Sequence, residues 1–472
     1  MNCTALVSHH FRTQGSRTAL WEAGGETVTF SEVARLAGGA QGLVRAEGLG
    51  AGDAALVLGL PGPTLFASVL GLLGLGVTVV FVEPWLPVDE IDHVIRRVQP
   101  RAFLGSRPAR LWALRVPAVR DVPRWIPLSQ VRTAGSGRDP ICCDVDPGTP
   151  GTLTFSSGTT GRPKGLVRSH GCLETLFRLL GSEEASEIRN GPDLCVFPNL
   201  ALLHLATGRG AVLVPSGWRP RALARAARVA RRANPTTLSC GPGFLERLLA
   251  RAEARPGEFG SLRQIAVGGA QVDCGLLERG FARWGDARWL QVYGGSEAEP
   301  VCITDARASV AFSRERGLFQ ALHLGRPIGE IETDLRGDGL WVRGPNVASV
   351  FGAEADDAPR PGDDGWHRMG DRIAIDRAGW WYWGRASQPR REFELEQRVY
   401  AELGTSACFL HRHREGSLVL YGERLPRRAF SAEFRAGYPA LRQVRSIRIV
   451  RDRRHRARID RTASLANAGI AA

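Results

Sequence analysis

From residue 54 to residue 82 the chain carries no charged side chain, a run long enough to cross a bilayer. Its interior argues for a different use. Pro61-Gly62-Pro63 splits the run, and Gly71, Gly74 and Gly76 punctuate its second half, so one uninterrupted spanning helix is disfavoured. The halves read as a strand over 54–60, a turn, a helix over 64–75 and a buried strand over 77–82. Two uncharged strands joined by an apolar helix form a βαβ unit, whose strands lie in a parallel sheet covered on both faces.

The same alternation continues for some three hundred residues. Helical patterns are predicted over 29–47, 88–98, 219–233 and 242–254, and short apolar strands over 193–197, 211–215, 263–267 and 289–292. After Gly325 the texture changes to short β-like runs over 339–342, 372–375 and 379–382. A fresh start follows, with a helix over 392–402, strands over 417–421 and 445–450, and a basic tail. A chain of 472 residues exceeds what one compact core holds. The expected architecture is therefore α/β, with a large multi-layer domain of parallel-sheet subdomains over 1–384 and a small α+β domain over 385–472.

With 43% hydrophobic and 23% charged residues, disordered, collagen-like and coiled-coil chains are excluded. The net charge of +14 raises nucleic acid as a partner, but the arginines are scattered except in the stretch 442–461. A solvated basic face is the expectation there, and no nucleic acid is expected. The nine cysteines show no C-x-x-C spacing, which predicts reduced thiols and a cytoplasmic protein with no membrane span. The first twenty residues lack the apolar core of a signal peptide.

The chemistry is concentrated in Thr152-Leu153-Thr154-Phe155-Ser156-Ser157-Gly158-Thr159-Thr160-Gly161-Arg162-Pro163-Lys164-Gly165. A β-branched and aromatic run feeds a loop rich in hydroxyls and glycines, so backbone N–H groups and side-chain hydroxyls can both approach an anion. Of 62 basic residues, the one lysine is Lys164, inside this loop. A compact ammonium is not interchangeable with a planar guanidinium at such a position. The pattern is not a Walker A loop, because Pro163 precedes the lysine and Gly165 follows it.

The loop resembles the signature phosphate loop of the adenylate-forming superfamily, which holds acyl-CoA synthetases, luciferases and the adenylation domains of peptide synthetases. Tyr293-Gly294-Gly295-Ser296-Glu297, Trp366-His367-Arg368-Met369-Gly370-Asp371 and Gly384-Arg385 resemble further elements of that family in the same order. The resemblance implies attack of a carboxylate on the α-phosphate of ATP, loss of pyrophosphate and an acyl-adenylate. It implies that Ser156, Ser157, Gly158, Thr159, Thr160, Gly161 and Lys164 hold the β- and γ-phosphates, that Ser296 contacts the α-phosphate, and that Glu297 binds Mg²⁺. Tyr293 would stack on adenine beside Gly294, with Gly268, Gly269 and Ala270 wrapping it. Asp371 would accept the ribose hydroxyls, and Arg385 would add a cationic contact. His170 and His204 are expected to be structural.

The segments 197–202, 297–301 and 367–371 look similar to the β-lactone synthetases of olefin pathways, which implies a fatty, even β-hydroxy, acid. The acyl group would pass to a thiol, of CoA or of an acyl carrier protein, or close on its own hydroxyl. Arg458 stands where the family places a catalytic lysine, and the hinge Ala386-Ser387-Gln388-Pro389 lacks the usual Asp or Lys pivot. The alternative is a degenerate member that binds nucleotide without turnover.

Overall fold

The computed structural model describes residues 1–135, 140–156, 164–182, 191–215, 220–337, 339–351, 365–413, 417–423, 425, 441–451 and 459–470. The uncharged run of the sequence becomes strand Ala54–Leu58, helix Pro63–Gly74 and strand Thr78–Phe81, and the two strands pair in parallel. Pro63 starts the helix, where its missing N–H costs nothing. Around this unit a seven-stranded sheet forms in the order Ser349–Phe351, Lys164–Ser169, Pro150–Ser156, Thr78–Phe81, Ala54–Leu58, Ala102–Gly105, Arg124–Pro127. Its first two strands run antiparallel to their neighbours; the rest are parallel.

A second sheet has eight strands, in the order Cys302–Asp305, Arg288–Tyr293, Gln264–Gly268, Thr237–Cys240, Asp193–Cys195, Ala211–Leu213, Thr18–Trp21, Thr27–Thr29. Strand alternation explains how the two sheets share a core. Cys195, Ala211 and Leu213 from one sheet and Ala55, Val57 and Val79 from the other point into a single cluster with helices Phe30–Ala46, Pro63–Gly74 and Pro198–Ala206. The intervening residues face outward. Leu194, Val212 and Ile265 pack under helices Pro220–Ala233 and Pro242–Ala254, while Leu56, Val80 and Phe103 pack under helix Val88–Val98. Each sheet is thus buried on both faces, which is why its strands read as continuous apolar runs.

Beyond Gly325 two three-stranded sheets surround a cluster of Trp380, Trp381, Tyr382 and Met369. Helix Arg390–Leu403 sends Phe393 into this cluster and its other apolar side chains into the small C-terminal sheet. That sheet pairs Cys408–Arg412 antiparallel with Leu418–Gly422, which pairs in parallel with Leu441–Ser446. The strand expected over 445–450 therefore lies earlier in the chain. Its ladder ends at Ser446 opposite Gly422, and among the described residues no strand pairs with 447–450. Among the described residues no helix is long and apolar enough to cross a membrane. All nine cysteines are free thiols, and seven of them are buried.

Candidate functional site

The eight-stranded sheet reverses its strand order around Asp193–Cys195: the next strand, Ala211–Leu213, lies on one side, and Thr237–Cys240 on the other. Crevices at the carboxyl ends of strands beside such a reversal are where open α/β sheets bind ligands. Here the crevice is floored by backbone. Gly268, at the end of its strand, lies opposite Val292, and a Cβ on it would sit 2.7 Å from the Val292 carbonyl oxygen. Gly269 adopts φ +81°, a left-handed conformation that suits glycine. Gly269, Ala270, Tyr293, Gly294, Leu322 and Tyr382 line one pocket. A Cβ on Gly241 would be 3.6 Å from the Gly268 carbonyl and 3.8 Å from the ring of Phe197, the residue that precedes helix Pro198–Ala206.

The rim of this pocket is polar. The Tyr293 hydroxyl donates to Oδ2 of Asp371 at 2.8 Å, and Nη1 of Arg385 lies 3.0 Å from its Oδ1. Asp371 and Arg385 face each other across a two-stranded ladder, and Gly370, at φ +70°, turns the chain into it. Arg385 also donates to the Met369 carbonyl at 3.2 Å. Burial and the neighbouring Asp371 carboxylate push the Tyr293 phenol well above its usual range, so it remains a donor.

Past Gly294 the chain makes a tight turn. The Gly295 amide donates to the Ala298 carbonyl at 2.9 Å and the Ala298 amide to the Gly295 carbonyl at 3.2 Å, which leaves Ser296 and Glu297 at the corners. Both corner carbonyls are held from the seven-stranded sheet. Arg168 donates through Nη2 to the Ser296 carbonyl and through Nη1 to Thr154 Oγ1 at 3.2 Å, while the Ala348 amide donates to the Glu297 carbonyl at 2.7 Å. The Glu297 side chain is 26% exposed, with Oε1 3.9 Å from Nε2 of His367. A partly exposed carboxylate with no other ion pair among the described residues fits a magnesium ion that takes its other ligands from phosphate and water.

The serine-rich loop springs from the neck of a hairpin in which Ser156 pairs with Lys164 and Phe155 with Gly165. Gly165 is required there: a Cβ would lie 2.8 Å from the Phe155 ring and 2.9 Å from Phe351 Cβ. Ser157, Gly158, Thr159, Thr160, Gly161 and Arg458 lie outside the described residues, and Ser156 and Lys164 are placed by their backbone alone. Gly269, Ala270, Tyr293 and Gly294 line the pocket, Gly268 directly precedes them on its strand, Asp371 and Arg385 join it through the Tyr293 hydroxyl, and Ser296 and Glu297 lie on the turn that follows Gly294. His170 and His204 stand apart from it. His170 accepts from the Cys3 amide through Nδ1 in the core, and burial pushes its imidazole down to about 4. His204 lies 3.2 Å from buried Asp193. Sequence reasoning missed Arg168 and Tyr382. Arg168 had one local signal, a lone charge closing the run Gly165-Leu166-Val167.

Comparison with known proteins places the family and the fold. A family model described as AMP-binding enzyme matches residues 7–351. The feruloyl-CoA synthase of Amycolatopsis sp is 27% identical over 429 residues, covering 82% of this chain and 80% of the relative. The olefin beta-lactone synthetase of Stenotrophomonas maltophilia is 29% identical over 276 residues, 55% of this chain and 49% of that protein. Among solved structures, the anthranilate CoA ligase AuaEII in complex with anthranoyl-AMP shares the fold at a TM-score of 0.78 and 15% identity, covering 100% of this chain and 98% of its own.

Proposed function

The chain belongs to the AMP-binding enzyme family, and on the site just described we propose that it is an AMP-forming acid ligase. A carboxylate oxygen attacks the α-phosphorus of ATP, the bond to the β-phosphate oxygen breaks, and pyrophosphate leaves. A thiolate then attacks the carbonyl carbon of the acyl-adenylate and AMP departs. The observation that carries this reading is the Tyr293–Asp371–Arg385 cluster at the rim of a glycine-floored pocket. A pocket lined by backbone glycines and two tyrosines beside a fixed carboxylate suits a nucleoside, with adenine against Gly268–Ala270 and Tyr293 and the ribose hydroxyls on Asp371.

The barrier is repulsion between anions, so cations and oriented donors supply most of the catalysis. We assign Ser156, Ser157, Thr159, Thr160 and Lys164 to the β- and γ-phosphates and Ser296 to the α-phosphate. Glu297 would hold Mg²⁺, which screens the phosphate charge when bound. Arg458 would bring a last positive charge to the attacking carboxylate. We place the boundary between the two domains at Gly384/Arg385, where Gly384 has φ +85° and a Cβ would lie 2.8 Å from the Phe393 ring. A reducing, cytoplasmic setting suits the nine free thiols.

For the acid, relatives that match across most of the chain are named for aromatic acids, feruloyl and 3-hydroxybenzoate, and we put an aryl acid with CoA as acceptor first. The fatty and β-hydroxy reading rests on the shorter match to the lactone synthetase and is second. Both are tested together by pyrophosphate release over a panel of ferulate, 3-hydroxybenzoate, long-chain fatty acids and β-hydroxy acids, with and without CoA. Mass detection identifies thioester, lactone or adenylate. Release with one acid class supports the ligase; ATP binding without release from any acid would leave a nucleotide-binding protein in its place.

A further inference from the structure

Arg168 touches both halves of the site while belonging to none of the family motifs quoted above. It lies on strand Lys164–Ser169, directly after the serine-rich loop, and is half-buried. Its guanidinium bridges Thr154 Oγ1, on the other strand of the hairpin, and the carbonyl of Ser296, 128 residues away. We propose that Arg168 is a positioning residue for adenylation, whose planar fork sets the Ser296–Glu297 turn against the phosphate hairpin. This rests on the acid-ligase reading and adds a residue to it.

Three features carry the inference. Both of its hydrogen-bond partners are neutral acceptors, and no salt bridge to Arg168 occurs among the described residues. The other corner of the turn is held from the same sheet. Its second strap, the Ala348 amide on the Glu297 carbonyl, comes from the residue before strand Ser349–Phe351, and that strand pairs with the strand of Arg168, Ser349 opposite Val167. The edge of the hairpin sheet thus holds both corner carbonyls, so any shift of the hairpin moves Ser296 and Glu297 with it. Last, the geometry needs a fork. A guanidinium presents five donors in one plane and spans two acceptors at once, whereas a lysine ammonium is a single point of charge.

The test compares Arg168→Lys and Arg168→Met with the parent, full-length, in three measurements. In single-turnover adenylation the rate is expected to fall about 10- to 100-fold in both variants, because a misplacement near 1 Å costs about that much. ATP affinity measured directly by calorimetry is expected to change less than about threefold, since the hairpin and the adenine pocket remain. Amide exchange of a peptide covering residues 294–299 is expected to quicken about tenfold while strand Arg288–Tyr293 stays protected. Free guanidinium should restore part of the rate to Arg168→Ala.

Arg168→Lys with the parental rate would overturn the proposal. So would unchanged exchange over 294–299, or a melting temperature that falls in step with the rate, which would make the residue a brace of the fold alone. If the parent releases no pyrophosphate with any acid, the ligase reading fails, and the exchange measurement alone then decides whether Arg168 holds the turn.

Discussion

Asp371 illustrates how little a single residue does by type and how much by neighbours. Its carboxylate receives a phenol and a guanidinium from two different directions, which fixes its plane for the ribose proposed to bind it. Asp371→Asn keeps the shape and removes the charge that Arg385 answers. The expected result is about tenfold weaker ATP binding by calorimetry, equal to about 1.4 kcal/mol, with acid affinity unchanged; equal losses for both ligands would separate Asp371 from the ribose. His170 makes a prediction about pH. Its folded pKa, about 4, is below the ordinary value of 6.5, so the unfolded chain binds the proton more readily. The stability it supports is complete above pH 6.5 and is lost as the pH falls toward 4, by at most about 3 kcal/mol. The midpoint of urea unfolding should fall over that window, and His170→Gln should flatten the fall relative to the parent.

At the scale of elements, the middle layer depends on two helices meeting closely. Helix Phe30–Ala46 begins with a capping box, in which Thr29 accepts from the Glu32 amide and Glu32 accepts from the Thr29 amide. It packs on helix Pro63–Gly74, where a Cβ on Gly71 would lie 2.6 Å from the Ala37 carbonyl and 3.2 Å from Ala40 Cβ. Backbone cannot yield there as a flexible side chain would. Gly71→Ala should therefore force the helices apart and cost about 1–3 kcal/mol, read as a lower urea midpoint at constant slope. A variant as stable as the parent would show that the helices slide freely. Sequence patterning found both helices, because their apolar periodicity and caps are local. It gave the bounds 88–98 and 242–254 that the structure has, yet misplaced the strand at 445–450, where only a partner strand decides what pairs.

Across the whole molecule, the small C-terminal unit is tied to the large one close to the pocket. Ser406 donates to Asp273 at 2.7 Å, Gln320 donates to the same carboxylate at 3.2 Å, and Gln397 donates to Gln320 at 2.9 Å. Burial pushes the Asp273 carboxyl up against the pull of these donors. Removing buried hydrogen bonds costs about 1–3 kcal/mol, so Gln397→Ala combined with Ser406→Ala should raise the rate of proteolytic cleavage between the units about tenfold without lowering the melting temperature of the large one. Unchanged cleavage would mean that the apolar seat of Phe393 holds the unit by itself. The sequence by itself determined the layers and the chemistry on offer: uncharged runs dictated sheets covered on both faces, and the hydroxyl-rich loop with the one lysine pointed to a phosphate. Only the tertiary structure decided which groups meet. Tyr293 reaches Asp371 across 78 residues and Arg168 reaches Ser296 across 128, because periodicity and capping act over a few residues, whereas the stacking of two sheets and the reversal of strand order are settled by the packing of the whole chain.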